Sequence, residues 1–217
     1  MGFHTHFSQI IANIFNKSKV KNVAFLGDQE IVLSTGESRP LDEYLLNFRR
    51  VQITVFEHPN QVSKANKNSL WRYIDLSHSS YKDFEHFDMI IDGGTLEHVA
   101  NMASAFFSVW QGLAHGGYFI AGYPINNLCD HGYWLPQPRF FADFFRVNNA
   151  VEVDLQIIKF PENDTEGSLT IFPYTQGQTG QIKQPEWAKC DGQLGVFMIA
   201  RKELCTNLLD LKIPSDF

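Results

Sequence analysis

The chain has 217 residues, 44% of them apolar and 19% charged, with a formal net charge of -6 and a pI near 5.7. That length can bury the core of one α/β domain or of two small ones, and the acidic balance lacks the diffuse positive field that draws proteins to nucleic acid. Cys129, Cys190 and Cys205 are far apart, with no metal spacing and no paired framework, so reduced thiols in a cytoplasmic compartment are expected.

The opening stretch MGFHTHFSQIIANIFNKSKV lacks the early basic region and the continuous apolar core of a signal peptide. Phe7, Ile10, Ile11, Ile14 and Phe15 recur at helical spacing, which predicts an amphipathic helix over 1–20. Its polar face carries little positive charge, favouring packing on the domain over docking on a membrane surface. No apolar run is long enough to span a bilayer. His4 and His6 alone are too few to hold a metal ion, so no metal site is expected.

Short apolar runs then read as buried strands: NVAFLG near 22–27, VQITVFE near 51–57, RYIDL near 72–76, FDMIID at 87–92 and GYFIAGY at 117–123. Near-continuous apolar runs of this length suit parallel strands covered on both faces. Helices are predicted between and after them. PLDEYLLNFRR begins at Pro40. LEHVANMASAFFSVWQGLA carries a stripe of Val99, Met102, Phe106, Val109, Trp110 and Leu113 and stops at Gly116-Gly117. PRFFADFFRVNN is a shorter helix. VEVDLQIIKF and LGVFMIARKEL read as two final strands with no crossover helix between them, so they should be antiparallel. Their connection, 161–193, is rich in Gly, Gln, Thr and Pro, and a structureless loop of that length is often functional. No repeat or linker divides the chain, so 1–217 is read as a single domain. The 19 phenylalanines are expected to serve the core.

The stretch FDMIIDGGTLEHV followed by GLAHGGYFIAGYP is similar to the fourth-strand, helix and fifth-strand region of the class I S-adenosylmethionine-dependent methyltransferase family, and the resemblance runs from about Val20 to Glu203. It implies a Rossmann-like three-layer α/β/α sandwich whose mostly parallel seven-stranded sheet ends in an antiparallel C-terminal strand. It also implies S-adenosylmethionine as cofactor. Independently, ligands of open α/β sheets bind beyond the carboxyl ends of the strands, where strand order reverses. Asp28, Glu57, Asp75 and Asp92 fall at or just past predicted strand ends and should line that rim. By the resemblance, Glu57 takes the ribose hydroxyls, Asp75 faces the adenine amino group, and Asp92, Gly93 and the residues to Thr95 flank the methionine portion. The chain departs from the family in VAFLGDQEIVLSTGE. Only Gly27 of the usual Gly-x-Gly-x-Gly turn is present, Phe25 stands where an acid is usual, and Asp28, Gln29 and Glu30 replace small residues. Asp28 is the candidate to replace the missing acid by binding the methionine ammonium.

Two segments carry candidate chemistry. Glu97 and His98 are adjacent, and adjacent helical residues point about 100° apart, which argues against their acting on one atom. Glu97 reads as a first-turn carboxylate favouring the helix dipole, whereas His98 reads equally as a sheet-edge packing residue or a catalytic group. PINNLCDHGYWLPQPRFF crowds Asn126, Asn127, Tyr133 and Trp134, as substrate contacts of a lid, around His131, the best general-base candidate. The alternative is that Tyr133 and Trp134 plug the core.

The expected function is methyl transfer to an oxygen or nitrogen of a small-molecule or glycan-like acceptor, with no nucleic-acid partner and the oligomeric state open. The broken glycine turn motivates an alternative, a degenerate methyltransferase-fold binding or scaffold protein without catalysis. A nicotinamide enzyme is disfavoured, because Gly-x-Gly-x-x-Gly is absent.

Overall fold

A computed structural model describes residues 2–32, 37–48, 51–60, 69–160, 169–174, 186–189 and 191–203. The main sheet is built around β2 (Asn22–Leu26), which pairs in parallel with β5 (Gln52–Glu57) on one side and β7 (Phe87–Asp92) on the other. β6 (Leu70–Tyr73) extends the sheet beyond β5, and β8 (Leu113–Asn126) extends it beyond β7, both in parallel. The chain thus leaves β2 for one half of the sheet and later returns to the other, so strand order reverses at β2.

Beyond β8 the pairing changes sign. β11 (Leu194–Arg201) lies antiparallel between β8 and β9 (Val151–Lys159), and β10 (Thr170–Pro173) closes the edge antiparallel to β9. Among the described residues the sheet therefore has eight strands, in the order β10-β9-β11-β8-β7-β2-β5-β6, one more than the sequence suggests. The extra strand lies inside the predicted 161–193 connection, which also holds a short helical turn at Glu186–Lys189. Residues 161–168, 175–185 and 190 of that connection, and Cys205 beyond the last strand, fall outside the described residues.

Alternation along the strands sorts the core onto the two faces of the sheet. Val23, Phe25, Ile53, Val55, Met89 and Ile91 meet Phe7, Ile11 and Phe15 of α1 (Thr5–Lys17) and Leu41 and Leu45 of α2 (Leu41–Leu46). Ala24, Leu26, Phe56, Ile90 and Phe119 meet Phe106 and Trp110 of α3 (Met102–Gly112) and Phe141, Phe144 and Phe145 of α4 (Pro138–Val147). Helices on both faces make the expected three layers. Phe106 sits at the hub of an aromatic cluster, with ring centroids 4.7 Å from Phe144 and 5.5 Å from Phe141. Lys202 is buried, and its Nζ donates to the carbonyls of Trp110, Gln111 and Leu113, satisfying the C-terminal end of α3.

Three local departures from expectation shape the ligand-binding rim. β1 (Gly2–His4), β3 (Glu30–Val32) and β4 (Ser38–Pro40) form a small second sheet, so the chain after β2 runs through a strand pair before it reaches a helix. The third strand of the parallel half ends at Tyr73, because Asp75 caps a 3₁₀ turn at Leu76–His78 by accepting a hydrogen bond from Ser77 N. The helix expected from Leu96 starts only at Met102, where Asn101 caps it. Leu96–His98 forms a separate 3₁₀ turn.

Candidate active site

Beyond the carboxyl ends of β2, β5 and β7 opens a cleft of about 780 Å³, within the roughly 300–1,000 Å³ usual for small-molecule sites. Gly27, Asp28, Glu57 and Asp75 line it, as expected, together with Thr95, His98 and Tyr133. Gly27 turns the chain out of β2 with φ +74°, and a Cβ there would lie 2.6 Å from Thr95 Oγ1, so this first glycine has both a conformational and a steric reason. Glu57 ends β5. Its Oε1 accepts from His58 N at 2.9 Å and its Oε2 from Asp28 N at 3.2 Å, which fixes the carboxylate while leaving lone pairs for a ligand. Asp75 accepts from Ser77 N and pairs with His78 Nδ1, both at 2.9 Å; the His78 contact foremost holds its carboxyl below the usual range. Burial, and then the charges of Asp42, Glu57 and Glu30, push Asp28 up. A cleft that crowds carboxylates in this way favours a ligand carrying positive charge.

Gln29 is the rim residue that sequence reasoning missed. Its side chain turns inward and is buried, donating from Nε2 to Leu26 O and accepting from Gly93 N at 3.1 Å through Oε1. Thr95 Oγ1 donates to the same Leu26 carbonyl at 2.5 Å. Together they tie the end of β2 to the end of β7. Nothing in the string Gly-Asp-Gln-Glu distinguishes an inward Gln from one that would obstruct the cleft.

Asp92 and Gly93 do not line the cleft, which corrects the expectation that they flank the cofactor there. Asp92 is fully buried beneath it. Its Oδ1 accepts from Thr95 N at 2.7 Å and Gly94 N at 3.2 Å, and its Oδ2 from Tyr123 Oη at 2.7 Å and Leu96 N at 3.3 Å. Burial raises its pKa to about 6 against the pull of these four donors. Asp92 shapes the turn that carries Gly94 and Thr95. Gly93 instead faces a second cavity.

Glu97, five residues on, has the opposite environment. It too is fully buried, yet among the described residues neither carboxyl oxygen has a hydrogen-bond partner. Burial, then the charge of Asp92, pushes it up to about 8. His98 Nε2 and His131 Nε2 each lie 3.8 Å from its Oε1, and the two imidazoles stand 5.2 Å apart by ring centroids. The sequence argument that adjacent Glu97 and His98 diverge holds for where their side chains leave the backbone and not for where they end: His98 Nε2 folds back to 3.8 Å from Glu97 Oε1. Glu97, in a 3₁₀ turn, does not serve a helix dipole. His131 is carried there by the loop after β8, which is pinned by hydrogen bonds from Tyr133 N and Trp134 N to Glu97 O at 2.9 and 3.2 Å. Trp134 Nε1 donates to Val99 O at 2.9 Å, so Trp134 anchors the loop. Tyr133 is exposed and borders the cleft. Asn126 and Asn127 line neither cavity: Asn126 Oδ1 accepts from Asn127 N, and Asn127 Nδ2 donates to Gly192 O, because the loop turns at Asn127 with φ 58°.

The second cavity, about 280 Å³, is mainly apolar. Phe3, Phe7, Tyr123, Ile158, Phe160 and Phe197 line it with Gly93, Gly122 and His131. It lies over the antiparallel half of the sheet, with Phe7 of α1 on its wall. His98 borders the cleft, His131 borders this cavity, and Glu97 is held against both histidines.

No protein-family model and no curated protein matches the sequence. Solved structures do match over 91% of the chain. The N-methyltransferase NodS from Bradyrhizobium japonicum WM9, in complex with S-adenosylhomocysteine, superposes with a TM-score of 0.54 at 14% identity over 85% of its own length. TehB from Haemophilus influenzae gives 0.55 at 12% identity over 62% of its length. The N-terminal domain of EvdMO1 with S-adenosylhomocysteine bound gives 0.52 at 13% over 80%. The chain has the class I S-adenosylmethionine-dependent methyltransferase fold.

Proposed function

We propose that the protein is an S-adenosylmethionine-dependent methyltransferase acting on a small acceptor with an apolar body. The observation that carries this reading is the meeting of two cavities at Glu97, His98 and His131: an acid-lined cleft at the strand-order reversal and an apolar pocket beside it. The cleft fits the cofactor despite the missing glycines, because the inward Gln29 leaves it open and carboxylates line it where a cationic ligand would sit.

When bound, the cofactor supplies an electrophilic methyl group on a sulfonium. Glu57 accepts the ribose hydroxyls with the lone pairs not used by Asp28 N and His58 N. Asp75 faces the adenine amino group, and Asp28 pairs with the methionine ammonium. The apolar cavity orients the acceptor, which supplies most of the rate advantage. His131, on the wall of that cavity, takes up the acceptor's proton on its imidazole, and Glu97 Oε1 lies 3.8 Å from its Nε2. The lining suits an aromatic or aliphatic body better than the glycan-like ring suggested by the loop's amides.

The reading is tested by transfer of a labelled methyl group from S-adenosylmethionine to a panel of small hydroxyl- and amine-bearing acceptors. Turnover that depends on His131 is the expected result; no transfer to any acceptor, with the cofactor bound, counts against catalysis. The incomplete glycine turn favours a second reading, a binding module without turnover, and that outcome would select it.

A further inference from the structure

We infer that Glu97, His98 and His131 form a binding site for a borderline divalent cation of the zinc or cobalt class, placed between the two cavities. Their ligand atoms lie within 4.8 Å of one another, and both imidazole Nε2 atoms approach the same carboxyl oxygen at 3.8 Å. Bonds of about 2.0–2.1 Å in a tetrahedral site place ligand atoms roughly 3.3 Å apart, so small side-chain rotations close the set. Two imidazoles and one carboxylate suit these metals and not calcium or magnesium, which prefer all-oxygen sets.

The independent observation is Glu97 itself. Both of its oxygens are buried without a hydrogen-bond partner among the described residues, in a turn whose backbone is held by Tyr133 N and Trp134 N. An ionised carboxylate left so is costly unless a cation or a proton compensates it. The histidines supply the remaining ligands from opposite sides, His98 from the cleft wall and His131 from the cavity wall. Three protein ligands leave a fourth position open, as catalytic sites do. On the methyltransferase reading, that position takes the acceptor's oxygen or nitrogen and holds it toward the cleft, and His131 then serves as a ligand in place of a free base. Cation binding itself does not depend on that reading. The sequence concealed the site because His131 lies far along the chain from the Glu97-His98 pair.

The test is a titration of the full chain, freed of metal by chelator and dialysis, with Co²⁺ alone and then Zn²⁺. One equivalent of Co²⁺ should produce visible absorption bands of a four- or five-coordinate site, and Zn²⁺ should abolish them. Glu97→Gln, His98→Ala and His131→Ala should each weaken binding at least ~10-fold. Cys129→Ser, which removes the exposed thiol nearby, and His115→Ala, remote from the site, should bind as the parent does. No spectral change at about ten equivalents overturns the inference, as does binding that survives His131→Ala or is lost in Cys129→Ser. His131 sits on a partly exposed loop, so its variant keeps the test decisive if Glu97→Gln fails to fold. Titrating the same metal-free samples with S-adenosylmethionine separates the two readings. Cofactor binding without Co²⁺ binding removes the metal site alone, and Co²⁺ binding without cofactor binding removes the methyltransferase reading alone.

Discussion

The cleft and the apolar cavity sit side by side on one rim of the sheet, yet they are built in opposite ways. The cleft draws on the ends of parallel strands and is walled by carboxylates fixed through backbone N–H groups, as Glu57 is by Asp28 and His58. The cavity draws on the two ends of the chain, Phe3 and Phe7 from the N-terminal segment and Val196 and Phe197 from the last strand, with almost no polar group besides His131 and Gln193. The cleft is thus suited to hold a charged, hydrogen-bonding ligand in one pose. The cavity is suited to select by shape and apolar contact. If donor and acceptor are divided in this way, substitutions on one side should leave the other side's readout intact.

The largest effect expected is from His131→Ala. Loss of a positioned base, or of a metal ligand, should lower methyl-transfer turnover about 10²–10⁴-fold while cofactor affinity measured by calorimetry changes little. Next is Gly122, which borders the cavity and whose hypothetical Cβ meets only Phe3 Cε1 at 3.6 Å and Val196 O at 3.8 Å. Gly122→Val should therefore fold and fill part of the cavity, raising the acceptor KM about 10-fold or more at unchanged cofactor affinity. A parallel loss of cofactor binding in either variant would break the division between the two regions.

Smaller, and expressed in stability, is the response to pH of the wall beneath them. The pKa of Asp92 stands at about 6 in the fold against 3.8 unperturbed. The folded state therefore holds this proton more tightly than the unfolded chain. The associated stability is fully present below about pH 4 and is lost as pH rises through 6, by at most about 1.4 kcal/mol per pH unit. Denaturant unfolding of the protein and of Asp92→Asn, compared across pH 4–7, should show this difference. Tyr123→Phe removes one of the donors that favour ionised Asp92, and should cost about 1–3 kcal/mol at neutral pH, where the carboxylate is charged. An unchanged midpoint would show that Tyr123 does not hold the turn.

Much of the fold was legible because its signals are local. FDMIID is a strand with the expected ends, PRFFADFFRV is a helix starting at its proline, and the last two predicted strands are antiparallel as a missing crossover requires. Of the rim acids, Asp28, Glu57 and Asp75 reach the cleft because a residue at or just past a parallel strand end has little choice. Asp92 obeyed the same rule but is drawn under the rim by four donors, one of them Tyr123 from the next strand, which no local pattern reveals. The helix after Leu96 starts later than expected because the apolar stripe continues through a 3₁₀ turn, and the approach of Glu97 and His98 is made by their side chains, which spacing along the chain does not reveal. The cavity was not legible at all. Its walls meet only when the N-terminal segment closes over the antiparallel half of the sheet.

The most direct test of the central claim is a calorimetric titration of the purified protein with S-adenosylmethionine and S-adenosylhomocysteine, with NAD as control. The account predicts one-to-one binding of the first two at micromolar affinity, none of the third, and at least a ~10-fold loss of affinity in Glu57→Ala, since hydrogen bonds to a charged group are worth about 1.5–3 kcal/mol. No heat from either ligand in a protein that still unfolds cooperatively would contradict it.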